Sequence, residues 1–455
     1  MARRYLIVGM GAGGISAAEA IRSQDPAGEI VLLSDDAYGY YSRPGLAYYL
    51  TGEIPEDWLY PFSEDDFGRL RLRRMQGRAV GLDPQAHEVA LEDGRRLSYD
   101  RLLLATGSQV FLPPLPGVDL EGVVKLDDMA DARQILTRAR RARAAVVVGG
   151  GITALEIVEG LRARRTTTHY LIRRDRYWGN VLDEDESRIV EGRLQEEGVE
   201  IHYHTEVAEI LGRRGRVAGV RTEDGDEIRC DVVAIAIGVR PRLGLARAGG
   251  LDTDRGVLVD EYLRCSARGI LPDVFAAGDV AQVYDPLSGK AVLDTLWGVA
   301  VAQGRAAGQN MAAGDGAVAE RAAYHKPVPF NVTRLAGLTT TIIGTVGRGR
   351  DDDVLGIVRG DSETWRQLPG SLSEAGIIAH QGDFEVNRLR VLLGERTLVG
   401  AIVMGDQALS QPLHHLITRQ VDITSIRDQI VRPTMPLGDV IAQFWAAWRQ
   451  RHETP

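Results

Sequence analysis

Two glycine-rich loops, each between an apolar run and an alanine-rich stretch, constrain this sequence more than any other feature. The first loop, GMGAGG at residues 9–14, follows the apolar residues 5–8, and the second, GGGITA at residues 149–154, follows residues 146–148. In a strand–loop–helix unit the first glycine permits the tight turn, and the second lets the backbone approach a pyrophosphate. The helix N-terminus then supplies free N–H groups. Two such units predict two dinucleotide sites whose reactive rings can meet.

The composition excludes several classes of protein. A chain of 455 residues is too long for one core and suggests two or three domains. The net charge of −9 argues against a nucleic-acid partner. No run of about 18 apolar residues occurs, so we expect no membrane span, and the first residues do not have the body of a signal peptide. We therefore expect a cytoplasmic protein.

Strand, loop and helix alternate through most of the chain, which predicts an α/β protein with parallel sheets. The βαβ unit with its β-rich insertion occurs twice, so the repeat is on the scale of a domain. From about residue 326 the pattern changes to strands with glycine turns, at residues 339–346 and 393–404. Residues 437–448 have apolar side chains at helical spacing and predict an amphipathic helix that packs on the body of the protein. A partner or a membrane surface is the alternative for that helix.

Acidic residues follow the second strand of the first unit. The apolar residues 30–33 and Ser34 are followed by Asp35 and Asp36. A carboxylate at that strand end can accept both hydroxyl hydrogens of an adenosine ribose and repels a 2′-phosphate. We assign this role to Asp35 or its neighbour, with a solvated turn as the alternative.

Cysteine and histidine offer little chemistry of their own. The chain has two cysteines, Cys230 and Cys265, in no pattern that fits an iron–sulfur cluster or zinc, and we interpret both as buried, inert thiols. His202 and His204 alternate on a predicted strand at residues 200–207. Because no third ligand is near them in the sequence, we interpret them as an ordinary polar strand face and predict no metal site.

Several segments in the right order carry a family resemblance: residues 9–14, 42–44, 105–107, 149–156, 238–241 and 274–279. On these the chain resembles the FAD-dependent pyridine nucleotide-disulfide oxidoreductase superfamily, the flavoproteins with two dinucleotide-binding domains. These include rubredoxin and ferredoxin reductases, NADH oxidases, glutathione reductase and the amino-terminal part of nitrite reductase large subunits. The resemblance implies two Rossmann-like domains, arranged as in glutathione reductase, and a carboxy-terminal α+β domain.

The resemblance also implies the domain boundaries and the cofactors. An FAD-binding domain would consist of residues 1–112 and 245–325, with an NAD(P)H-binding domain, residues 113–244, inserted between its halves. Residues 326–455 would form an interface domain, and residues 398–406 resemble that domain in the nitrite-reductase-like branch. The Gly-Asp pair at Gly278 and Asp279 would bind the ribityl and phosphate region of FAD.

The candidate site residues follow from the loops and the resemblance together. For FAD they are Gly9, Gly11, Gly14, Asp35, Arg43, Pro44, Val80, Ala105, Thr106, Gly107, Gly278, Asp279 and Trp297. For NAD(P)H they are Gly149, Gly151, Ile152, Glu156, Arg173, Arg174 and Gly238. No side chain is assigned a catalytic role, because the flavin carries the chemistry. For Trp297, packing on the cofactor and packing in the core both stay open, and for Glu156 the alternative is a solvated helical glutamate.

The segment at residues 41–46 separates this chain from the thiol-dependent members of the family. Those members carry a redox cysteine there, whereas this sequence reads YSRPGL. A thiolate is needed to cleave S–S or O–O bonds by that route, so we expect no disulfide reductase. Electron-carrier reductases tend to have Ser and Lys where Ala47 and Tyr48 stand here, so this chain keeps Arg43 and Pro44 but lacks that lysine.

The strand after the second loop bears on the choice of coenzyme. Its end has Ile172 and Arg173 at the ribose-reading position, followed by Arg174, and no carboxylate. NADH-selective enzymes generally have a carboxylate there, whereas arginine suits a 2′-phosphate. The run resembles the Ile-Arg-x-Asp element of glutathione reductase, an NADPH enzyme, although Gly179 matches that enzyme's second arginine. We expect NADPH over NADH, and a merely polar strand end is the alternative.

These observations favour an FAD-dependent NAD(P)H:acceptor oxidoreductase. Hydride would pass from nicotinamide to flavin and electrons would then leave for a small redox protein or a partner subunit. An NAD(P)H oxidase that reduces oxygen is the second enzymatic hypothesis, and an NAD(P)H-sensing flavoprotein that acts through partner binding is the non-enzymatic one. A basic stretch at residues 133–143 is interpreted as a solvated face, with docking of an acidic carrier as the alternative. Homodimer formation is left open.

Overall fold

A computed structural model describes residues 2–285, 289–313, 322–346, 387–432 and 435–452. These residues divide into two compact units. Of these described residues, unit 1 contains those within 2–175 and 197–326, and unit 2 contains those within 176–196, 327–346 and 387–452. Strands and helices are numbered below in chain order. The domain boundaries drawn from the sequence stay a prediction.

The first sheet of unit 1 has six strands in the order β19-β20-β7-β1-β2-β3. They are β1 (Arg4–Val8), β2 (Glu29–Ser34), β3 (Leu72–Gln76), β7 (Arg101–Leu104), β19 (Arg264–Ser266) and β20 (Ile270–Ala276). All neighbours are parallel except β19 and β20. Both faces of β1 and β7 are almost fully buried, as expected of central parallel strands.

The second sheet of unit 1 has five parallel strands in the order β12-β11-β10-β16-β9. They are β9 (Val123–Val124), β10 (Ala144–Val148), β11 (Thr167–Ile172), β12 (Val199–Tyr203) and β16 (Val232–Ile235). Its strands lie in the sequence between β7 and β20 of the first sheet. Two parallel sheets, each containing a glycine loop, confirm the predicted α/β fold class with two dinucleotide-binding domains.

Smaller sheets complete unit 1. They comprise β4 (Ala79–Asp83), β5 (Glu88–Leu91), β6 (Arg96–Ser98), β8 (Ser108–Val110), β13 (Val207–Arg213), β14 (Arg216–Thr222), β15 (Glu227–Ile228), β17 (Val239–Pro241), β18 (Val257–Leu258), β21 (Ala281–Asp285) and β22 (Lys290–Leu293). Strands β8 and β17 pair antiparallel, so the two segments that connect the large sheets run side by side. The predicted strand at residues 200–207 was too long, because β12 ends at Tyr203 and His204 has a positive φ of 50°.

Several helices of unit 1 pack against strands of the two large sheets. The helices of this unit are α1 (Ala12–Gln24), α2 (Leu46–Thr51), α3 (Glu64–Arg69), α4 (Met129–Ala139), α5 (Ile152–Arg162), α7 (Gly244–Ala248) and α8 (Trp297–Ala312), with a 3-10 turn at Glu56–Leu59. Helices α1 and α8 pack almost backbone to backbone. A Cβ on Gly304 would lie 2.1 Å from the carbonyl oxygen of Gly13, and one on Gly308 would lie 2.4 Å from that of Ala17. Small residues are therefore a packing requirement here.

Unit 2 contains an antiparallel sheet and helices. The strands are β23 (Phe330–Leu335), β24 (Leu338–Gly344), β25 (Arg388–Leu393) and β26 (Leu398–Met404), in the order β23-β24-β26-β25. The helices are α6 (Glu184–Glu196), α9 (Ser410–Thr418), α10 (Arg427–Val431) and α11 (Leu437–His452), with a 3-10 turn at Thr424–Ile426. The sequence pattern at 393–404 covers the end of β25, a turn and β26. Helix α11 begins where the periodicity predicted, and it buries Val440, Ile441 and Phe444.

The close contact between α1 and α8 leads to a test of stability. We expect Gly304→Ala to lower the free energy of unfolding by about 1–3 kcal/mol, because the added methyl overlaps the Gly13 carbonyl and the helices must separate. Gly68→Ala in α3 is the matched control, since its Cβ meets no atom within 4 Å and alanine favours the helix. Urea unfolding measures both variants. Equal midpoints for the two variants would contradict the packing argument.

Candidate functional site

The first glycine loop connects β1 to α1, and two of its glycines are required by packing. Gly9 has φ +116°, and a Cβ there would lie 2.0 Å from the carbonyl oxygen of Ala105. A Cβ on Gly14 would lie 2.1 Å from the carbonyl oxygen of Gly9. Gly11 differs, because nothing lies within 4 Å of its Cβ position and it is the N-cap of α1 without a side-chain cap. The loop thus leaves backbone N–H groups free for an anion.

The loop opens into a cleft of about 1210 Å³ within unit 1. The predicted FAD residues that line it are Gly9, Gly11, Asp35, Arg43, Pro44, Ala105, Thr106, Gly107, Gly278, Asp279 and Trp297. Two others are not in its lining. Gly14 acts through packing, and Val80 is 48% exposed on β4 while its neighbour Ala79 lines the cleft. Assignment of Val80 to the site therefore has no support in the cleft geometry.

The two aspartates after β2 have different surroundings. Asp36 accepts hydrogen bonds from the Tyr38 N–H (2.9 Å) and the Tyr41 hydroxyl (3.1 Å), and its carboxylate is 3.6 Å from the Arg43 guanidinium. Asp35 is exposed at the wall of the cleft. Asp36 therefore organises the segment from Tyr38 to Arg43, whereas the structure gives no such role to the exposed Asp35, which stays the candidate for the ribose.

Arg43 is held at the rim of the cleft by groups from two segments. Its guanidinium donates to the carbonyl oxygen of Asp127 and lies 5.5 Å from the centre of the Tyr41 ring. The carboxylate of Asp127 in turn accepts a hydrogen bond from Arg242 at 3.0 Å. This network fixes a positive charge beside the cleft without a lysine at residue 48.

The Gly-Asp pair lines the same cleft. The Ser108 hydroxyl donates to the Asp279 carboxylate at 2.6 Å, and the Gly278 N–H donates to the side-chain oxygen of the fully buried Gln303 at 2.7 Å. Gly278 has φ +77°, which favours glycine. Sequence reasoning missed Ser108 and Gln303, because neither belongs to a motif and each comes from an element distant in the chain.

The N-terminus of α8 faces the same cleft. Trp297, its first residue, is 37% exposed and lines the cleft, so it is not a core residue. The helix starts without a side-chain cap and without an acid in its first turn. Just before it, the hydroxyl of Thr295 is buried in the cleft wall with no hydrogen-bond partner among the described residues. A free helix end and an unpaired hydroxyl fit a polar, negatively polarised ring system such as a flavin pyrimidine.

A buried carboxyl group lies beside this helix start. Asp294 is 7% exposed, and burial raises its pKa to about 6, against the attraction of Lys326. Lys326 lies 3.7 Å from the carboxylate of Asp285. Sequence reasoning gave Asp294 no role, since nothing in the sequence marks it as buried.

The second glycine loop repeats the geometry of the first. Gly149 has φ +147°, and its Cβ would lie 2.2 Å from the carbonyl oxygen of Ala236. Gly151 is the uncapped N-cap of α5 with open space at its Cβ position. Ile152 is fully buried, so only its backbone can face a ligand. Gly238, with φ +115°, also has open space beside it.

The polar candidates of the second site differ in exposure. Glu156 is 5% exposed on α5, so it is not the solvated helical glutamate of the alternative interpretation. Arg173 and Arg174 are both exposed directly after β11, and Asp175 follows them, also exposed. The carbonyl oxygen of Arg174 accepts from the N–H of His204 at 3.1 Å. Both guanidinium groups thus stand at the carboxyl end of the strand next to the loop.

The two cysteines are buried and free, as expected. Burial raises the pKa of Cys230 to about 12, and burial likewise raises the pKa of Cys265. Neither thiol is therefore a thiolate near neutral pH.

Among the described residues, every helix is too short or too polar to span a membrane.

These features define the class: a protein with two Rossmann-like sheets, each with a glycine loop shaped for a dinucleotide. Comparison with known proteins agrees. Residues 3–304 match the family model described as pyridine nucleotide-disulphide oxidoreductase. The chain belongs to this family.

Several named proteins are similar to this chain. A probable ferredoxin reductase of Castellaniella defragrans is 34% identical over 62% of this chain and 69% of its own length. The ferredoxin–NAD(+) reductase component of the biphenyl dioxygenase system of Paraburkholderia xenovorans is 32% identical over 88% and 95%. An NADH oxidase of Methanocaldococcus jannaschii is 30% identical over 68% and 70%.

Solved structures share the fold. The putidaredoxin reductase–putidaredoxin complex has a TM-score of 0.78 at 21% identity, covering 97% of this chain and 98% of that one. An NAD-dependent persulfide reductase of A. fulgidus has a TM-score of 0.78 at 24% identity, covering 98% and 83%.

The unpaired Thr295 hydroxyl gives a test of cofactor fit. The Thr295 hydroxyl has no hydrogen-bond partner among the described residues and is therefore available to bind the cofactor. We expect Thr295→Val, which removes that hydrogen bond, to weaken FAD binding about tenfold. The apoprotein should be as stable as the wild type or more so. Thr168→Val is the matched control, since Thr168 is also buried but its hydroxyl already donates to the Thr166 carbonyl. Titration of apoprotein with FAD measures both, and an unchanged affinity in Thr295→Val would contradict the assignment.

The raised pKa of Asp294 predicts how stability depends on pH. Folded protein binds this proton more tightly than unfolded chain, whose aspartates titrate near pH 4, so the contribution of Asp294 to stability is lost as pH rises from about 4 to about 6. The unfolding free energy of Asp294→Asn minus that of the wild type should therefore be larger at pH 7.5 than at pH 4, by up to roughly 3 kcal/mol. Urea unfolding of the FAD-loaded proteins measures this difference. A difference that does not change with pH would refute it.

Proposed function

We propose that this chain is an FAD-dependent NAD(P)H:acceptor oxidoreductase that delivers electrons to a separate redox carrier. The observation that carries the proposal is the cleft in which the first glycine loop, the Gly278–Asp279 pair and the free N-terminus of α8 converge. Family membership supports it, as do relatives whose names identify them as ferredoxin reductases.

The residues of the cleft divide the work of holding FAD. Backbone N–H groups at Gly11 and the start of α1 would bind the pyrophosphate, and Asp35 would bind the adenosine ribose. Asp279, oriented by Ser108, would bind the ribityl and phosphate region. When bound, the flavin accepts hydride from the nicotinamide and releases electrons singly or in pairs. The start of α8 would stabilise negative charge on the reduced ring system through its dipole.

The acceptor in this proposal is a small redox protein or a partner subunit. Both cysteines are buried with raised pKa values, which disfavours the thiol route. The basic stretch gives weaker support, because Arg133 and Arg138 form ion pairs with Glu56 and Glu121, which leaves the exposed Arg140 and Arg141 to attract an acidic carrier. A cytoplasmic location stays part of the proposal.

Two other functions remain as rival outcomes of the test. An NAD(P)H oxidase is favoured by the similarity to a protein named NADH oxidase. An NAD(P)H-sensing flavoprotein would use the same cleft but reduce slowly and signal through a partner.

The test is anaerobic stopped-flow mixing of the FAD-loaded protein with NADPH or NADH. Bleaching of the flavin within about a second supports the enzyme, because typical turnover is that fast or faster. Reduction over minutes with a stable charge-transfer band supports the sensor instead. Oxygen consumption by the reduced protein, compared with reduction of an added ferredoxin or rubredoxin, then separates oxidase from carrier reductase.

We also propose that NADPH is preferred over NADH. Two exposed guanidinium groups, Arg173 and Arg174, stand where the strand after the second loop ends, and neither Ile172 nor Arg173 can accept from a ribose hydroxyl through a carboxylate. Arginine pairs well with a 2′-phosphate through charge-assisted hydrogen bonds. The names of several relatives mention NAD(+) or NADH, so this proposal rests on the residues of this chain alone.

Substitution of these arginines tests the coenzyme preference. We expect Arg173→Ala or Arg174→Ala to lower kcat/KM for NADPH about tenfold or more and to leave NADH nearly unchanged, because only the 2′-phosphate loses a charged partner. Arg213→Ala removes an exposed arginine to which no role is assigned and is the control. Steady-state reduction of ferricyanide measures all three variants. A wild-type preference for NADH would overturn the proposal and direct attention to Asp175 as the ribose acceptor.

A further inference from the structure

A cluster of two histidines and a glutamate lies on the second large sheet, among residues to which the oxidoreductase proposal gives no role. Strands β11 and β12 are parallel, with His169 paired to Glu200 and Leu171 paired to His202. Because side chains alternate along a strand, His169, Glu200 and His202 point to the same face. Strand β12 is at the end of the strand order, so the cluster lies at an edge of the sheet.

The distances within the cluster are those of atoms that share one ion. Nδ1 of His169 is 3.3 Å from Nε2 of His202 and 3.2 Å from a carboxylate oxygen of Glu200. All three ligand atoms lie within 4.8 Å of one another. Two ligands at tetrahedral angles around Zn²⁺, with bonds of about 2.0–2.1 Å, are about 3.3 Å apart. The backbone register therefore brings the donors together with nearly the spacing of a zinc site.

Hydrogen bonding alone does not satisfy this arrangement well. One imidazole nitrogen carries either one proton or one lone pair. Nδ1 of His169 nevertheless has two close neighbours, an imidazole nitrogen and a carboxylate oxygen, so a single proton would have to be shared between them. A cation removes the conflict, because all three atoms can then present a lone pair to it.

We propose that His169, Glu200 and His202 bind one divalent transition-metal ion, with Zn²⁺ as the best fit. Two imidazoles and one carboxylate suit zinc and its first-row neighbours, whereas Ca²⁺ and Mg²⁺ prefer sets of oxygen ligands. The Glu200 side chain is 60% exposed and that of His169 is 16% exposed, so solvent reaches the cluster and can supply the fourth ligand. The ion would join β12 to β11 through side chains and thereby stabilise the edge of the sheet.

This inference is independent of the oxidoreductase proposal. It also departs from the expectation of no metal site, which considered His202 with His204. The structure separates those two, since His204 lies beyond the end of β12, and it supplies His169 from the neighbouring strand instead.

Metal binding is tested on the tag-free, FAD-loaded full chain. Isothermal titration with Zn²⁺ should show one site per chain, and Co²⁺ in its place should produce the visible absorption of a tetrahedral complex. Zn²⁺ binding should be more than about tenfold weaker in each of His169→Ala, Glu200→Gln and His202→Ala. Loss of a residue that only hydrogen-bonds to a metal ligand typically costs about tenfold or more, and these three residues would be ligands themselves. His204→Ala is the matched control and should bind Zn²⁺ as the wild type does.

Thermal unfolding gives a second measurement that does not depend on folding of the histidine variants. Zn²⁺ should raise the Tm of the wild type and of His204→Ala, because an ion bound only by the folded state stabilises it. At the same Zn²⁺ concentration it should raise the Tm of Glu200→Gln less, and the exposure of Glu200 makes that variant the least disruptive of the three. Absence of a stoichiometric site in the wild type, or equal Zn²⁺ affinity in the wild type and Glu200→Gln, would overturn the proposal.

Discussion

Backbone packed against backbone at the first glycine loop is the constraint on which the candidate flavin site depends. The Cα of Gly9 faces the Ala105 carbonyl, and the Gly13 carbonyl faces Gly304, with no room at either contact for a side chain. These contacts bring β1, β7 and α8 together although they are far apart in the sequence. As a result the loop at one end of the cleft and Trp297 at the start of α8 line the same cavity. Burial drives the packing, but glycine decides how closely the elements approach.

The same helices also set the electrostatics of unit 1. Helices α1, α5 and α8, like the short helices α2 and α7, begin with no side-chain cap and no acid in the first turn, whereas α3 and α4 are capped by Ser63 and Asp128. An uncapped start leaves N–H groups without partners in the helix and concentrates partial positive charge there. The uncapped starts of α1 and α5 follow the two glycine loops, and that of α8 faces the cleft. The unpaired N–H groups and the partial positive charge at these helix ends are thus available to bind an anionic ligand.

The sequence was sufficient for the parts of the site that depend on local backbone geometry. Glycines at 9, 14 and 149 were predictable because a tight strand-to-helix turn can be recognised from its neighbours alone. Ser108, Gln303 and His169 were not, since each acquires its partner only through pairing or packing between distant segments. Val80 and His204 have a related explanation, because the sequence did not indicate that Val80 is exposed or that β12 ends before His204.

The two dinucleotide loops are nearly equivalent in backbone terms, so their ligands must be distinguished elsewhere. In our proposal Asp35 and Arg173 distinguish the two ligands, and each is exposed directly after a strand end. Neither side chain therefore contributes to the core that holds its sheet together. Since exposed substitutions away from such features usually change stability by no more than about 0.5 kcal/mol, coenzyme identity can change without cost to the fold. The fold provides two dinucleotide sites, and in our proposal a few exposed charges determine which dinucleotides they bind.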